Sequence, residues 1–480
     1  MARCNALLRM TLGGVLLLWL SACSLAPRYV RPADPETASL VRSGDVQVTD
    51  APVESEFWKS LNDARLSGLI DDALSANHDL RIGLARLNAA RALLRESRLN
   101  QLPVVTASGQ AGDGRSSADQ FPGVARGDRD AETYQLGIDA FWELDFFGRV
   151  RNSVKAQRAE ARAAAADLAA LQVLVVGELA QAYFEHEGLL ERLNVARTNA
   201  INQRDSLQLV EARLNAGRGT EFDTARASAQ LQSTLGRIPP LEAAAAIAEH
   251  RIAVLTGREP DALRTTLETP AVSVTLPLIV AAGTPGDLLR RRPDVIAAEH
   301  RLEGAAASVG VATADLFPRF TIGASVGTQA SDVDALFKRD SETRFVALGI
   351  DWSFLDVGRV RARMAAADAN SEANLAAYQQ TVLRALEETQ NALVRYDRAL
   401  REQEHLRAAA ADNTKAATLA RLRFNGGITD FLDVLDAERS QLEAQDQLAQ
   451  SEARSATALI ALYKSLAGGW PDRRAVAAGP

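Results

Sequence analysis

Two stretches of the chain alternate apolar and polar residues closely enough to read as strands with one apolar face. In the first, Tyr134, Leu136, Ile138, Ala140, Trp142 and Leu144 are apolar. Gln135, Gly137, Asp139, Glu143 and Asp145 lie between them, with Phe141 the exception. In the second, Val346, Leu348, Ile350, Trp352 and Phe354 alternate with Ala347, Gly349, Asp351 and Ser353. A period of two puts successive side chains on opposite faces of a strand. Each run follows another strand-like stretch, 105–110 and 320–329. The linking segments, 112–131 and 330–342, are rich in Gly, Asp and Ser, as exposed loops are. Each alternating run is close to the roughly 9–11 residues that a strand needs to cross a bilayer.

After Gly148 and Gly358 the period changes. Leu168, Leu171, Val175, Leu179 and Ala182 recur at three and four residues, as do Val382, Leu386, Leu393, Tyr396 and Leu400, which is helical spacing. From Val360 to Phe424 there is neither Gly nor Pro. At ~1.5 Å per residue this predicts a helix of roughly 100 Å. Each long helix turns at a Gly-bearing loop, 216–220 or 426–429, and returns as 221–256 or 430–467. Before the strands, helices are expected over 63–101 and 287–316, stopped by Pro103 and Pro318.

The two halves are copies of one unit. Trp142-Glu143-Leu144-Asp145-Phe146-Phe147-Gly148-Arg149-Val150-Arg151 returns 210 residues later as Trp352-Ser353-Phe354-Leu355-Asp356-Val357-Gly358-Arg359-Val360-Arg361. At the same offset Arg213-Leu214-Asn215-Ala216-Gly217 matches Arg423-Phe424-Asn425-Gly426-Gly427, and Asp223 matches Asp433. The expected organisation is a signal peptide at 1–22, an N-terminal segment at 23–62, a first repeat at 63–258, an insert at 259–286, a second repeat at 287–468 and a tail at 469–480.

Four strands cannot close a barrel, and an open edge in lipid leaves backbone groups unsatisfied. Strands from other copies must complete the sheet. Two copies give eight strands, a barrel mostly filled by side chains, and three give twelve, with room for a lumen. The long Ala-rich helices likewise need neighbours to bury their faces. The expected fold is an α+β membrane protein: a trimeric 12-stranded β-barrel, four strands per chain, continuing into a long α-helical barrel. Alternating runs also occur in soluble sandwiches, and long helices in coiled coils. A periplasmic coiled-coil structural lipoprotein without channel activity therefore stays open on patterning alone.

Composition narrows the function. Hydrophobic residues make up 47% of 480 and aromatics only 5%, which suits close-packed helices more than an aromatic-rich globule. The net charge is −7, a poor fit to nucleic-acid binding. Residues 1–22 read as an export signal, with Arg3 and Arg9 ahead of an apolar stretch from Leu12 to Leu20. It ends in Leu20-Ser21-Ala22-Cys23, the lipobox pattern, so Cys23 is expected to carry lipid such as palmitate. Ser24 follows, where an Asp would favour inner-membrane retention, so outer-membrane sorting is expected. Beyond residue 23 no stretch reads as apolar over the ~18 residues of a spanning helix. Cys4 would leave with the signal, and His78, His186, His250, His300 and His405 are scattered, so no metal site or cofactor is expected beyond the lipid. Gly323-Ala324-Ser325-Val326-Gly327 fits G-x-S-x-G, but it lies inside an alternating run and not on a strand–turn–helix elbow. With no P-loop and no dinucleotide fingerprint either, an enzyme is not expected.

Several runs resemble the TolC/OprM family of outer-membrane efflux lipoproteins, which includes NodT-like proteins. They are Cys23-Ser24-Leu25-Ala26-Pro27-Arg28-Tyr29-Val30-Arg31-Pro32, and Phe57-Trp58 with Leu61-Asn62-Asp63, Leu66, Leu69 and Ile70. The others are Leu288-Leu289-Arg290-Arg291-Arg292-Pro293-Asp294-Val295 and Phe431-Leu432-Asp433-Val434-Leu435-Asp436-Ala437. The resemblance covers about residues 20–468 and implies a homotrimeric conduit in the outer membrane, its helical part in the periplasm. It implies docking to a periplasmic adaptor protein and an inner-membrane pump, usually of the resistance-nodulation-division type, with drugs or other small molecules as cargo. It also implies a periplasmic gate. Asp436 matches an acidic gate position of both branches, Asp433 one of the TolC branch, Leu432 a constricting position of the OprM branch and Phe424 a latching aromatic. Thr429 stands where TolC-type proteins carry an arginine latch, so that ion pair is not expected here. Gly217, Arg218, Gly219, Gly426 and Gly427 at the tips are candidate adaptor contacts. Arg290, Arg291 and Arg292 with Asp294 read as the start of a helix, with partner contact as the alternative.

Overall fold

A computed structural model describes residues 29–33, 47–49, 51–268 and 275–467, so the signal segment, Cys23 and the 469–480 tail lie outside the described residues. In chain order the elements are β1 (Gln47–Thr49), α1 (Phe57–Ser60), α2 (Ala64–Ala76), α3 (His78–Leu99), β2 (Val104–Arg115), β3 (Asp130–Leu144), α4 (Arg149–Asn215), α5 (Glu221–Leu255) and α6 (Arg264–Leu267). Then come β4 (Ile279–Ala281), α7 (Pro285–Arg291), α8 (Pro293–Ala314), β5 (Arg319–Ala330), β6 (Glu342–Asp351), α9 (Val357–Asn425) and α10 (Phe431–Ser465). From α3 to α5 and from α8 to α10 the order is the same: helix, strand, strand, long helix, shorter helix. The long helices, of 67 and 69 residues, measure roughly 100 Å at ~1.5 Å per residue.

The described residues fall into two units. One draws on the described residues within 29–32, 86–165 and 297–379, the other on those within 33–85, 166–296 and 380–467. The first holds a four-stranded antiparallel sheet in the order β2-β3-β5-β6. Directly paired residues share a face, so the register sorts the side chains. Val105, Ala140, Ala324 and Val346 form one cross-strand row, and Trp142, Ile322 and Leu348 another. Leu144, Phe320 and Ile350 continue the same apolar face. On the opposite face Thr106, Asp139 and Ser325 form a row, as do Gln110, Gln135 and Gln329. Gly137 pairs with Gly327 on that polar face, where a Cβ on Gly327 would come within 2.3 Å of the Leu136 carbonyl oxygen. The backbones approach there in a way only glycine permits. Trp142 Nε1 donates to the Gln101 carbonyl and Trp352 Nε1 to the Leu316 carbonyl, each at 3.0 Å, so both strand runs are tied alike to the end of the preceding helix.

The second unit has an apolar core in which Phe57, Trp58, Leu66, Ile70, Tyr183, Ile252, Leu288 and Leu289 are fully buried. The Phe57 and Tyr463 rings stack at 4.6 Å. Tyr183 donates its hydroxyl proton to Asp63 at 2.6 Å, while the other Asp63 oxygen caps α2 by accepting from the Leu66 amide at 3.0 Å. Burial and that carboxylate together push the Tyr183 phenol well above its usual range. β1 and β4 pair in parallel, giving the 259–286 insert one strand contact to the N-terminal segment.

Several expectations change. The helix expected over 63–101 is two, α2 and α3. Asn77 divides them because its side chain accepts from the Asp79 and Leu80 amides and donates to the Leu255 carbonyl. The helix expected over 287–316 divides likewise into α7 and α8, with Pro293 opening the second. β2 extends to Arg115, shortening the expected 112–131 loop, and β6 stops at Asp351 because Phe354–Asp356 forms a 3₁₀ turn. α4 does contain an 18-residue window apolar enough to cross a membrane, contrary to the reading above. Its alanines and valines raise the hydropathy, and half of the window is buried within the chain. Pro239 and Pro240 lie inside α5 without ending it.

Candidate functional site

The reversals at the ends of α4 and α9 are built alike. Gly217 and Gly427 adopt φ of 70° and 71°, the left-handed conformation that closes a helix. At the first tip Gly217 N–H donates to the Leu214 carbonyl and Arg218 N–H to the Arg213 carbonyl. At the second, Gly427 N–H donates to Phe424 and Ile428 N–H to Arg423, over 2.8–3.0 Å. Gly219 is tight for another reason: a Cβ there would lie 2.9 Å from the Leu214 nitrogen. Gly426 has no such constraint, its nearest contact for a Cβ being 3.5 Å.

The return helices then begin with acids. Thr220 caps α5, accepting from the Asp223 amide at 3.2 Å and donating to the Asp223 carboxylate at 2.7 Å. Thr429 donates its hydroxyl to Asp433. Carboxylates in a first helical turn also face the positive end of the helix dipole. Asp436, 64% exposed at its side chain, accepts from Arg439 at 2.6 Å. Leu432 is 52% exposed. Leu432, Asp433 and Asp436 therefore share the solvent side of α10, whereas Phe431, Val434, Glu438 and Leu442 form its buried side. Phe424 sits on that buried side, with Val210, Ala227, Phe431 and Val434. Its ring lies 5.3 Å from Phe431, the Arg213 guanidinium stacks over it at 3.9 Å, and Arg213 also donates to its carbonyl at 3.0 Å. Of the four candidate gate residues, three share one exposed face and the aromatic backs them from inside.

At the position matching Leu432 in the first tip stands Phe222, 65% exposed, with the Arg226 guanidinium 4.8 Å over its ring. Arg226 in turn matches Asp436, so corresponding positions of the two tips carry opposite charge.

Other candidates resolve as structure. Arg292 is buried and donates to Asp294 and Glu388 at 2.7 Å, to the Ser465 carbonyl at 3.1 Å and to the Ala385 carbonyl at 3.5 Å. Burial alone would lower its pKa, but the two carboxylates more than offset this and hold it above the usual value. Arg291 donates to the Val53 and Ala467 carbonyls. Ser325 lies mid-strand in β5, paired with Asp139 and Phe345, so no nucleophile elbow forms.

Glu438, which no sequence motif marks, is 1% exposed and accepts from Ser206 and Arg421, both at 2.7 Å. The spacing carries its signal: after Phe431 and Val434 the buried face of α10 next falls on residue 438, where a core side chain is expected.

Known proteins share this organisation along nearly the whole chain. The family model described as outer membrane efflux protein matches residues 69–258 and 284–468. Outer membrane protein OprJ of Pseudomonas aeruginosa is 32% identical over 96% of this chain and 96% of its own. The solvent efflux pump outer membrane protein SrpC of Pseudomonas putida is 32% identical, over 95% of this chain and 97% of its own. The solved outer-membrane channel OprN superposes with a TM-score of 0.85 at 40% identity, covering 93% of this chain and all of that one. The chain thus belongs to the outer membrane efflux protein family and is an outer-membrane channel protein of efflux systems.

Proposed function

We propose that three copies of this chain close one twelve-stranded barrel in the outer membrane and that their long helices continue it into the periplasm. The sheet carries this reading. One face is largely apolar, with Arg344 the exception, and the other largely polar, with Val104, Phe141 and Phe345 the exceptions, and β2 and β6 have one strand partner each among the described residues. Facing lipid, such a sheet cannot keep open edges, because each unpaired backbone group costs several kcal/mol. Three copies satisfy every edge and turn the polar face towards a water-filled lumen. Cys23 carries the lipid anchor. The conduit moves nothing uphill: a periplasmic adaptor docks on the tips, including Gly217, Arg218, Gly219, Gly426 and Gly427, and an inner-membrane pump of the resistance-nodulation-division type supplies the energy. The cargo is small organic molecules, as solvents are for SrpC.

Leu432, Asp433 and Asp436 narrow the periplasmic aperture, each repeated three times about the axis, and Phe424 holds their helix in place. Protein reconstituted into a planar bilayer should give small conductance, rising when the tips are loosened by Phe424→Ala. No conductance in either form would favour a coiled-coil structural lipoprotein.

A further inference from the structure

The two β-hairpins match residue for residue. Val104 pairs with Phe141 as Arg319 pairs with Asp351, and Asp113 pairs with Glu132 as Thr328 pairs with Glu342. β5 therefore repeats β2, and β6 repeats β3. Within the chain the hairpins meet through β3 and β5, with Tyr134 opposite Ala330, Gly137 opposite Gly327 and Ile138 opposite Val326. Between copies the corresponding edges are β6 and β2. Carried to that seam, the same register sets Arg344 opposite Arg115 of the partner subunit. It likewise sets Ala347 opposite Gly112 and Leu348 opposite Ala111 of the partner subunit.

Two observations support this register. A Cβ on Gly327 would lie 2.3 Å from the Leu136 carbonyl oxygen, because β3 comes close there. The matching Gly112 has nothing within 4 Å of such a Cβ, so its own chain does not call for glycine. A partner strand approaching β2 as β3 approaches β5 does call for it. The second observation is charge. The internal contact is neutral at its loop end, where Tyr134 stands opposite Ala330 and next to Thr328. The matching residues on the free edges are Arg344, Arg115 and Asp113, all charged. Arg115 is bonded to Asp130. Asp113 stands opposite Glu132, two like charges that weaken a sheet unless a cation joins them. Arg344 is exposed on β6, in the row of Ile138 and Val326.

We propose that β6 of each copy joins β2 of the next in the register of β3 with β5, and that Arg344 clasps Asp113 of the partner subunit diagonally. A diagonal neighbour lies roughly 7–8 Å away across a sheet, within reach of an arginine. The inference rests on the twelve-stranded reading above and adds the pairing that fastens it. Within one chain, β2 and β6 stand three strand spacings apart, roughly 14 Å. Coupling between residues 113 and 344 therefore acts between copies.

The described residues contain no cysteine, so introduced pairs report the seam. Leu348→Cys/Ala111→Cys should oxidise to linked chains at least about tenfold more completely than Val346→Cys/Ala111→Cys, which is two residues out of register. Equal linking, or more in the second pair, overturns the register. The half-life of the trimer in warm detergent tests the clasp. Asp113→Ala should shorten it roughly tenfold more in the wild-type chain than in Arg344→Ala. Equal effects overturn the clasp. Coupling that appears only with added lipopolysaccharide assigns Arg344 to a lipid phosphate and overturns it as well. If the cysteine variants do not assemble, the alanine cycle decides alone. A wild-type chain that forms no trimer removes the barrel reading itself, whereas trimers that link through the out-of-register pair leave that reading and remove this one.

Discussion

Replacing the aperture carboxylates should change which ions pass, with a sign that the structure supplies. Asp433 is bonded to the neutral Thr429 hydroxyl, whereas Asp436 is paired with Arg439. Asp433 therefore contributes about one uncompensated negative charge per chain, and three per ring. A monovalent cation ~6 Å from each of three charges gains about 2 kcal/mol in water, reduced to roughly 1 kcal/mol by physiological salt. That corresponds to roughly fivefold cation preference. Asp433→Ala should remove most of it. Asp433→Ala/Asp436→Ala should go further and favour anions, because it leaves Arg439 unpaired at the same level. Folding should change by only about 1 kcal/mol, since both side chains face water and what is lost is the Thr429 bond, the first-turn position of Asp433 and an exposed ion pair. Reversal potentials in a salt gradient give the assay, with trimer content checked first. A double variant whose reversal potential equals that of wild type would refute the placement of these residues on the aperture.

Further outcomes follow from other parts of the chain. Radiolabelled palmitate should mark wild type and leave Cys23→Ser unlabelled; equal labelling removes the anchor. Arg292→Met should cost about 2–3 kcal/mol, because it strips two backbone carbonyls and two carboxylates of their donor, and should lower the melting temperature of the assembled protein. An unchanged melting temperature would mean that solvent replaces those bonds. Gly427→Ala should cost about 1 kcal/mol through its positive φ, while Gly426→Ala should be nearly neutral, so equal losses in thermal melts would contradict the described turn.

The strands are legible in the sequence because one face is apolar and the other polar: from Tyr134 to Leu144 a period of two survives with one exception. The reversals are legible because a positive φ calls for glycine, at Gly217 and again at Gly427. The acids of the second tip are legible on one helical face, since Asp433 and Asp436 are three residues apart. The break at Asn77 is not, because helical spacing runs on either side and its bond reaches the distant Leu255 carbonyl, whereas the break before Pro293 is marked by that proline. Nor is the burial of Gln203, Ser206 and Gln441: each reads singly as a solvated helix surface, and only the packing of α4 against α10 buries them, Glu438 alone being marked by its spacing. The pairing of Asp436 with Arg439 is visible as a spacing, but its effect on the charge of the ring depends on both side chains facing the same side.

The central claim is that this sheet closes only with copies of itself. Native mass spectrometry of the detergent-solubilised protein tests it most directly. The account predicts a single species of three chains that survives mild activation, with no stable monomer or dimer at low concentration. A folded, stable monomer would contradict it, because β2 and β6 would then have no partners for their outer edges and the polar face would enclose no lumen.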